Sequence, residues 1–298
     1  MTETGHQPSL AERRRAFRAD CEERSALIVP GAGNALSARV IEDAGFEAIY
    51  ITGTGIANTL LGVPDLGLVT LTELTATVSA ISEITHKPLV VDIDTGFGNA
   101  LNAQRTMRVI ERAGAFAVQL EDQVFPKKCG HFEGKAVIPV EEAVSKIRAL
   151  VDAREDPNLM IIARTDARSV EGFEAALQRA EAYIEAGADM TFVEAPQSTK
   201  ELRAIPARLK VPQLANMVVG GKTPLTGRED LRDMGYAMVL YANTPLQAAM
   251  RAMSDVLGAL RADGDVNRVI DKLADFSERQ RLVSKDEYDA ADRRYSVK

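Results

Sequence analysis

Four stretches, DAGFEAIY at 43–50, RAGAFAVQL at 112–120, EAGADMTFV at 185–193 and DMGYAMVLY at 233–241, repeat one small pattern. Each ends a helical segment, places a glycine (Gly45, Gly114, Gly187, Gly235) and then runs into a short apolar segment. Glycine tolerates the left-handed conformation that closes a helix and turns the chain toward a sheet. The unit is therefore helix, turn, strand, and it recurs along the chain.

Working outward, short apolar and β-branched runs lie at 26–30, 48–53, 88–94, 117–121, 160–165, 190–194, 211–216 and 237–241. They read as parallel strands buried on both faces. Amphipathic stretches lie between most of them. The stretch at 71–84 begins after Thr70 with Glu73 in capping-box register, 140–151 follows Pro139, and 171–186 carries Phe173, Ala176, Leu177, Ala180 and Ile184 on one stripe. Eight strands with helical connections predict an α/β fold, a (β/α)8 TIM-type barrel forming one domain over 1–298. The rival is a doubly wound nucleotide-binding sheet. After the first strand, however, Gly31-Ala32-Gly33-Asn34-Ala35-Leu36 lacks the third glycine of that fingerprint. Residues 1–10 are expected to be a flexible tail. Past Tyr241 come extra helices, 245–260 and 266–282, then a charged tail, so 244–298 is either a packed cap or an oligomerisation region.

The chain has 298 residues, 46% of them hydrophobic and 27% charged, with a net charge of −7 and no long basic tract. Nucleic acid is not the expected partner. No apolar stretch is long enough to span a bilayer and the N-terminus has no apolar leader segment, so the expectation is a cytoplasmic protein with no membrane partner. Two cysteines, Cys21 and Cys129, make neither a disulfide framework nor a zinc site, and there are only three histidines. A metal would then be held by carboxylates, which selects Mg2+ or Mn2+.

Barrel chemistry sits at the C-terminal ends of strands. There the sequence places Tyr50 through Gly55, Asp92-x-Asp94, Glu121-Asp122, Arg164-Thr165-Asp166, Glu194 and Asn216. Alternation along a strand would send Asp92 and Asp94 to one side, where a divalent cation relieves their repulsion; alternatively they cap a helix. Asp65 could join them through a water. Arg164 offers a planar fork for a substrate carboxylate, or an internal ion pair with Asp166 or Glu194. Glu121 and Glu194 suit metal-bound waters, with helix capping the alternative for Glu194. In the long connection QVFPKKCGHFEGKA at 123–136, Lys127, Lys128 and His131 flank Cys129 and favour its thiolate. Gly130 and Gly134 would let that segment act as a lid. Cys21 has no such company and reads as structural.

Together, DIDTGFG, EDQVFPKKCGHFEGK, ARTDA, FVEAP and ANMVVGGKTPL resemble the isocitrate lyase/phosphoenolpyruvate mutase superfamily over roughly 26–241. KKCGH resembles its lyase branch. The resemblance implies a Mg2+ site at Asp92 and Asp94, with Asp65, Glu121 and Glu194 in an outer shell. It implies substrate contacts from Thr52, Gly53, Thr54, Gly130, Arg164, Glu194 and Asn216, with Tyr50 near the reacting hydroxyl. Cys129, Tyr50, Arg164, Lys127 and His131 form the expected catalytic set. A homotetramer with a C-terminal helix swapped between subunits is also implied, acting on a small dicarboxylate or tricarboxylate. The NMV-x-GGKTP form looks like the 2,3-dimethylmalate lyase, oxaloacetate hydrolase and petal-death-protein group, although Val219 stands where a glutamate is common. The implied reaction is Mg2+-dependent retro-aldol cleavage of an alkylmalate-type 2-hydroxy acid to pyruvate. 2-Methylisocitrate cleavage, or oxaloacetate hydrolysis or decarboxylation, is the alternative. Phosphonate chemistry and an inactive ligand-binding barrel are the more distant ones.

Overall fold

The computed structural model describes residues 8–128, 130 and 134–297. Eight strands, β1 Leu27–Ala32, β2 Ile49–Ile51, β3 Leu89–Asp92, β4 Ala117–Glu121, β5 Met160–Thr165, β6 Met190–Val193, β7 Leu214–Asn216 and β8 Met238–Tyr241, form one parallel sheet. Its order is β6-β5-β4-β3-β2-β1-β8-β7. The two ends meet through a Thr191–Gln213 bridge and a 3.2 Å bond from the Thr191 amide to the Pro212 carbonyl. This is a TIM-type barrel. Helices α2 Ala35–Asp43, α4 Leu71–Ser82, α5 Ala100–Arg112, α6 Val140–Ala153, α7 Phe173–Glu185, α8 Thr199–Arg208 and α9 Arg228–Met234 surround it; short α3, Gly53–Ile56, stands at its mouth. The four repeated glycines all have positive φ, between +85° and +106°, as the turn into each strand requires.

Strand alternation explains the double-sided burial. One series, including Tyr50, Val90, Ile162, Phe192, Leu214 and Leu240, fills the barrel interior. The other, including Ile49, Ile51, Val91, Val118 and Ile161, packs under the helices. Helix α1, Leu10–Glu22, closes the end opposite the mouth. Its Phe17 meets Phe116 edge-on at 6.0 Å, and its buried Arg14 donates to the carbonyls of Glu111 and Ala115. Buried Cys21 belongs to this packing.

Four expectations need correction. Ser9 caps α1 and Leu10 opens it, so the end of the expected tail is structured. The second, third and seventh strands are shorter than 48–53, 88–94 and 211–216. The stretch 266–282 is broken into a 3-10 segment, Val266–Lys272, and α11, Phe276–Leu282. The charged tail is helical, as α12, Lys285–Tyr295. Before these lies α10, Thr244–Asp263, with none of its residues buried. Met250, Met253, Leu257 and Leu260 recur at near-helical spacing on it, and the first three are each more than half exposed.

Candidate active site

In six of the eight strands the inward-facing series continues past the barrel core and becomes polar at the mouth. Val90 leads to Asp92, Gln119 to Glu121, Ile162 to Arg164, Phe192 to Glu194, Leu214 to Asn216 and Tyr50 to Thr52. Period two thus carries one residue per strand into a common space. Tyr50, Thr52, Thr54, Asp65, Asp92, Glu121, Lys127, Gly130, Arg164, Glu194 and Asn216 line it. A larger groove of about 740 Å3 lies outside, between 67–71, 97–99 and 137–146. Among described residues its only charged groups are Glu142 and Lys146, so the convergent chemistry belongs to the barrel mouth.

Asp92 and Asp94 meet by a different route from strand alternation. β3 ends at Asp92, and Asp94 adopts a left-handed φ of +48° in the turn beyond. The Asp94 amide donates to Asp92 Oδ1 at 3.1 Å, which folds the pair onto itself. Both carboxylates face Gly53, where an added Cβ would stand 3.1 Å from Asp94 Oδ1 and 3.6 Å from Asp92 Oδ2. Neither caps α5, whose cap is Asn99. Thr54 holds Asp65 by a 2.7 Å hydrogen bond to Oδ2. Lys127 is buried among these acids, with Nζ 2.6 Å from Asp65 Oδ1 and 2.9 Å from Asp94 Oδ1.

This crowding shifts the titrations. Burial pushes Asp94 up to about 6, against the pull of Lys127. Burial likewise raises Glu121, and Arg164 opposes it. Burial works against charge on Lys127, yet Asp94, Glu121, Asp92 and Asp65 hold its ammonium well above the usual lysine range. Burial, reinforced by Asp92, keeps the Tyr50 hydroxyl protonated.

Arg164 is gripped on several sides. Asp166 accepts from its Nε at 2.9 Å and from its Nη2 at 3.1 Å, Glu194 lies 3.3 Å away and Glu121 3.4 Å away, and the guanidinium sits 5.1 Å over the Phe192 ring. Both ion-pair partners weighed from sequence are therefore present, and they fix the fork in place. Glu194 does not cap α8, which Ser198 does; instead its Oε1 accepts from the Ala195 amide. Asn216 Nδ2 lies 3.4 Å from Glu194 Oε2, and the buried Oδ1 of Asn216 has no hydrogen-bond partner among the described residues.

The 123–137 connection is closed at its stem by a Gln123–Val137 antiparallel bridge. Gln123 also clamps Lys128, donating to its carbonyl at 2.8 Å and accepting from its amide at 2.9 Å. Gly130 reaches the cluster: a Cβ there would lie 2.4 Å from Arg164 Nη2 and 2.9 Å from the Glu194 side chain. Cys129 and His131 lie outside the described residues.

The residues suit a hard cation. Six buried carboxylates (Asp65, Asp92, Asp94, Glu121, Asp166, Glu194) face three buried cationic heads (Lys127, Lys135, Arg164) among the described residues of the cluster. Among the described residues, Glu121 Oε1 is buried without a hydrogen-bond partner, and the only donor near Asp94 Oδ1 is the Lys127 ammonium at 2.9 Å. No three acidic, histidine or cysteine donors converge on one point among the described residues. Mg2+ usually takes one or two carboxylates and fills its octahedron with water and substrate oxygens, so Asp92 and Asp94 are an adequate set.

Sequence reasoning missed the bracing behind Arg164. Lys135 binds Asp166, and Asp122 accepts from the Asp166 amide, Thr165 Oγ1 and Tyr183 OH. Val218 and Asn243, which also line the space, were missed too. The available signals were Asp166, two residues past Arg164, and a second lysine in EGK.

Residues 17–261 match the family described as phosphoenolpyruvate phosphomutase. The chain is 44% identical over 271 residues to 2,3-dimethylmalate lyase of Eubacterium barkeri, covering 91% of this chain and 94% of that protein. It is 46% identical over 277 residues to 2-methylisocitrate lyase of Aeropyrum pernix, covering 93% and 89%. A crystal structure of 2,3-dimethylmalate lyase, a PEP mutase/isocitrate lyase superfamily member, superposes with TM-score 0.90 at 34% identity, over 97% of this chain and 96% of that one. Oxaloacetate acetylhydrolase bound to 3,3-difluorooxalacetate also reaches 0.90, at 30% identity over 97% and 98%. Phosphonopyruvate hydrolase in complex with oxalate and Mg2+ gives 0.86, at 30% identity over 95% and 99%.

Proposed function

The chain belongs to the PEP mutase/isocitrate lyase superfamily as a carbon–carbon lyase, and from that premise we propose that it cleaves an alkylmalate-type 2-hydroxy dicarboxylate to pyruvate and a second carboxylate, with Mg2+ as cofactor. The observation that carries the substrate class is the meeting of an acidic pair, Asp92 and Asp94, with a braced arginine and the KKCGH connection at one barrel mouth.

Asp92 and Asp94 would hold the ion, with Asp65, Glu121 and Glu194 reaching it through water. When bound, it polarises the C2 hydroxyl and the adjacent carboxylate and lowers the hydroxyl pKa. The residues of the chain do the rest. Thr52, Gly53, Thr54, Gly130 and Asn216 receive substrate oxygens, and Tyr50 presents a protonated hydroxyl beside the reacting one. As the C2 hydroxyl gives its proton to a neighbouring carboxylate of the acidic cluster, its oxygen becomes the pyruvate carbonyl and the C2–C3 pair passes to the departing carboxylate fragment. Arg164 stabilises that developing charge, with Lys127 adding positive potential beside it. Cys129 delivers a proton to the new carbanion, and His131 and Lys128 keep the thiol poised.

The test is incubation with Mg2+ and 2,3-dimethylmalate, 2-methylisocitrate or oxaloacetate, with pyruvate, propionate, succinate, oxalate and acetate measured separately. Pyruvate with propionate from dimethylmalate, abolished by a chelator and restored by Mg2+ or Mn2+, is the expected result. Consumption of oxaloacetate alone would replace the lyase reading with the hydrolase one, which the oxaloacetate acetylhydrolase likeness favours next.

The uncovered face of α10 supports a homotetramer in which this C-terminal region, 244–298, passes to a neighbouring subunit. Light scattering on the eluting protein is expected to give four times the chain mass of 32.3 kDa. A monomer mass would reject the exchange.

A further inference from the structure

Lys135 has no place in the steps above, yet its ammonium is among the most enclosed charges of the mouth, with its side chain only 2% exposed. Its Nζ lies 2.6 Å from Asp166 Oδ1 and 2.5 Å from the Gly130 carbonyl oxygen. Asp166 is the carboxylate that takes both forks of Arg164, and its own amide is anchored on Asp122. Burial opposes charge on Asp166, but Arg164 and Lys135 hold its carboxyl below the usual range. Gly130, in turn, is the residue between Cys129 and His131, and its backbone lies so close to Arg164 that a Cβ could not be inserted.

We infer that Lys135 is a positioning residue that locks the KKCGH connection to the arginine, one ammonium holding both the Gly130 carbonyl and the carboxylate that aims Arg164. The inference rests on the lyase reading for its kinetic consequence and on geometry alone for its structural one. The geometry is economical. Gln123 fixes the connection on the Lys128 side and Lys135 fixes it on the Gly130 side. Lys128 and Gly130 are therefore each fixed, and the hold on Gly130 is shared with the group that meets the substrate's charge in the proposed reaction. An ammonium suits this task because it is a compact multi-donor head that serves two acceptors at once. Without it, Gly130 loses its carbonyl partner while Arg164 keeps its carboxylate, so the connection drifts relative to the arginine and substrate binding changes little.

The test compares Lys135→Met and Lys135→Gln with the wild type. Glutamine is polar enough to keep the site hydrated and folded but too short to bridge both acceptors. Each variant is expected to lose kcat on the order of 10²-fold, the scale of an ångström-sized misplacement, with KM changed less than threefold. A second readout does not need turnover: alkylation of the Cys129 peptide by iodoacetamide, followed by mass spectrometry, with and without Mg2+ and oxalate. Wild type should be protected by the pair of additives, and the variants should lose most of that protection. Either variant, folded by its melting curve, with kcat and protection within twofold of wild type would overturn the inference. A wild type inactive on every hydroxy acid would refute the lyase reading, and the alkylation arm would still decide the role of Lys135.

Discussion

Cys129→Ser is expected to lower kcat by roughly 10²–10⁴-fold, the usual contribution of a positioned general acid, while pyruvate affinity stays within threefold. In the proposed reaction, C2–C3 cleavage leaves a carbanion that must be protonated before the fragments recombine. A thiol ionises near neutral pH and gives up its proton readily; a serine hydroxyl has almost the same shape and is a far weaker acid. The substitution therefore removes the proton source and little else. Gly130, next in the chain, lies against Arg164 and Glu194 at the rim of the same cluster. Cys21 provides the internal control, because burial raises its thiol and it sits in the packing of α1. Cys21→Ser should leave the rate of product formation nearly unchanged. Wild-type turnover in Cys129→Ser would reject the acid role.

Arg164→Lys is expected to cut kcat/KM by about 10²–10³-fold, the scale of losing one preorganised charge donor. Charge is conserved in this change, so the loss measures geometry. The guanidinium satisfies Asp166 with Nε and Nη2 together, leaves Nη2 within 3.3 Å of Glu194 and lies over Phe192. An ammonium is a single point that can serve Asp166 or the substrate, but cannot reproduce the fork. Steady-state kinetics on the hydroxy acid would check it, with circular dichroism to confirm folding. Activity within fivefold of wild type would show that Arg164 is a structural brace only.

Much of the scaffold could be read from residues alone because it rests on local rules. Gly114 and Gly187 mark turns that any helix entering a strand needs, and β4 and β5 begin and end where their apolar runs do. The Thr70–Glu73 capping box is present with both of its hydrogen bonds. The mouth was legible for the same reason, since Asp92, Glu121, Arg164, Glu194 and Asn216 each extend an inward-facing series by one step. Asp94 was legible in role of position but not in geometry, because a left-handed turn is not marked by its residue type. The placement of Lys127 between Asp65 and Asp94, and of Lys135 on Asp166, joins positions 31 to 62 residues apart. Nothing in local spacing encodes such pairs. The break at 273–275 was hidden because a 3-10 segment with one buried residue, Val269, and a short helix with none carry little periodic signal.

The lysine enclosed by Asp65 and Asp94 bears on the order in which this protein is assembled. Proteins whose acidic clusters rely wholly on an ion for neutrality cannot complete their fold before meeting it, and they come apart when it is withdrawn. Here part of the counter-charge is covalently built into the chain and already delivered to the carboxylates by the 123–137 connection. The barrel is therefore expected to close and persist through a shortage of divalent cations as an intact stock. On the proposed Mg2+ dependence, supply of the ion would govern how much of that stock is working, with little effect on how much survives.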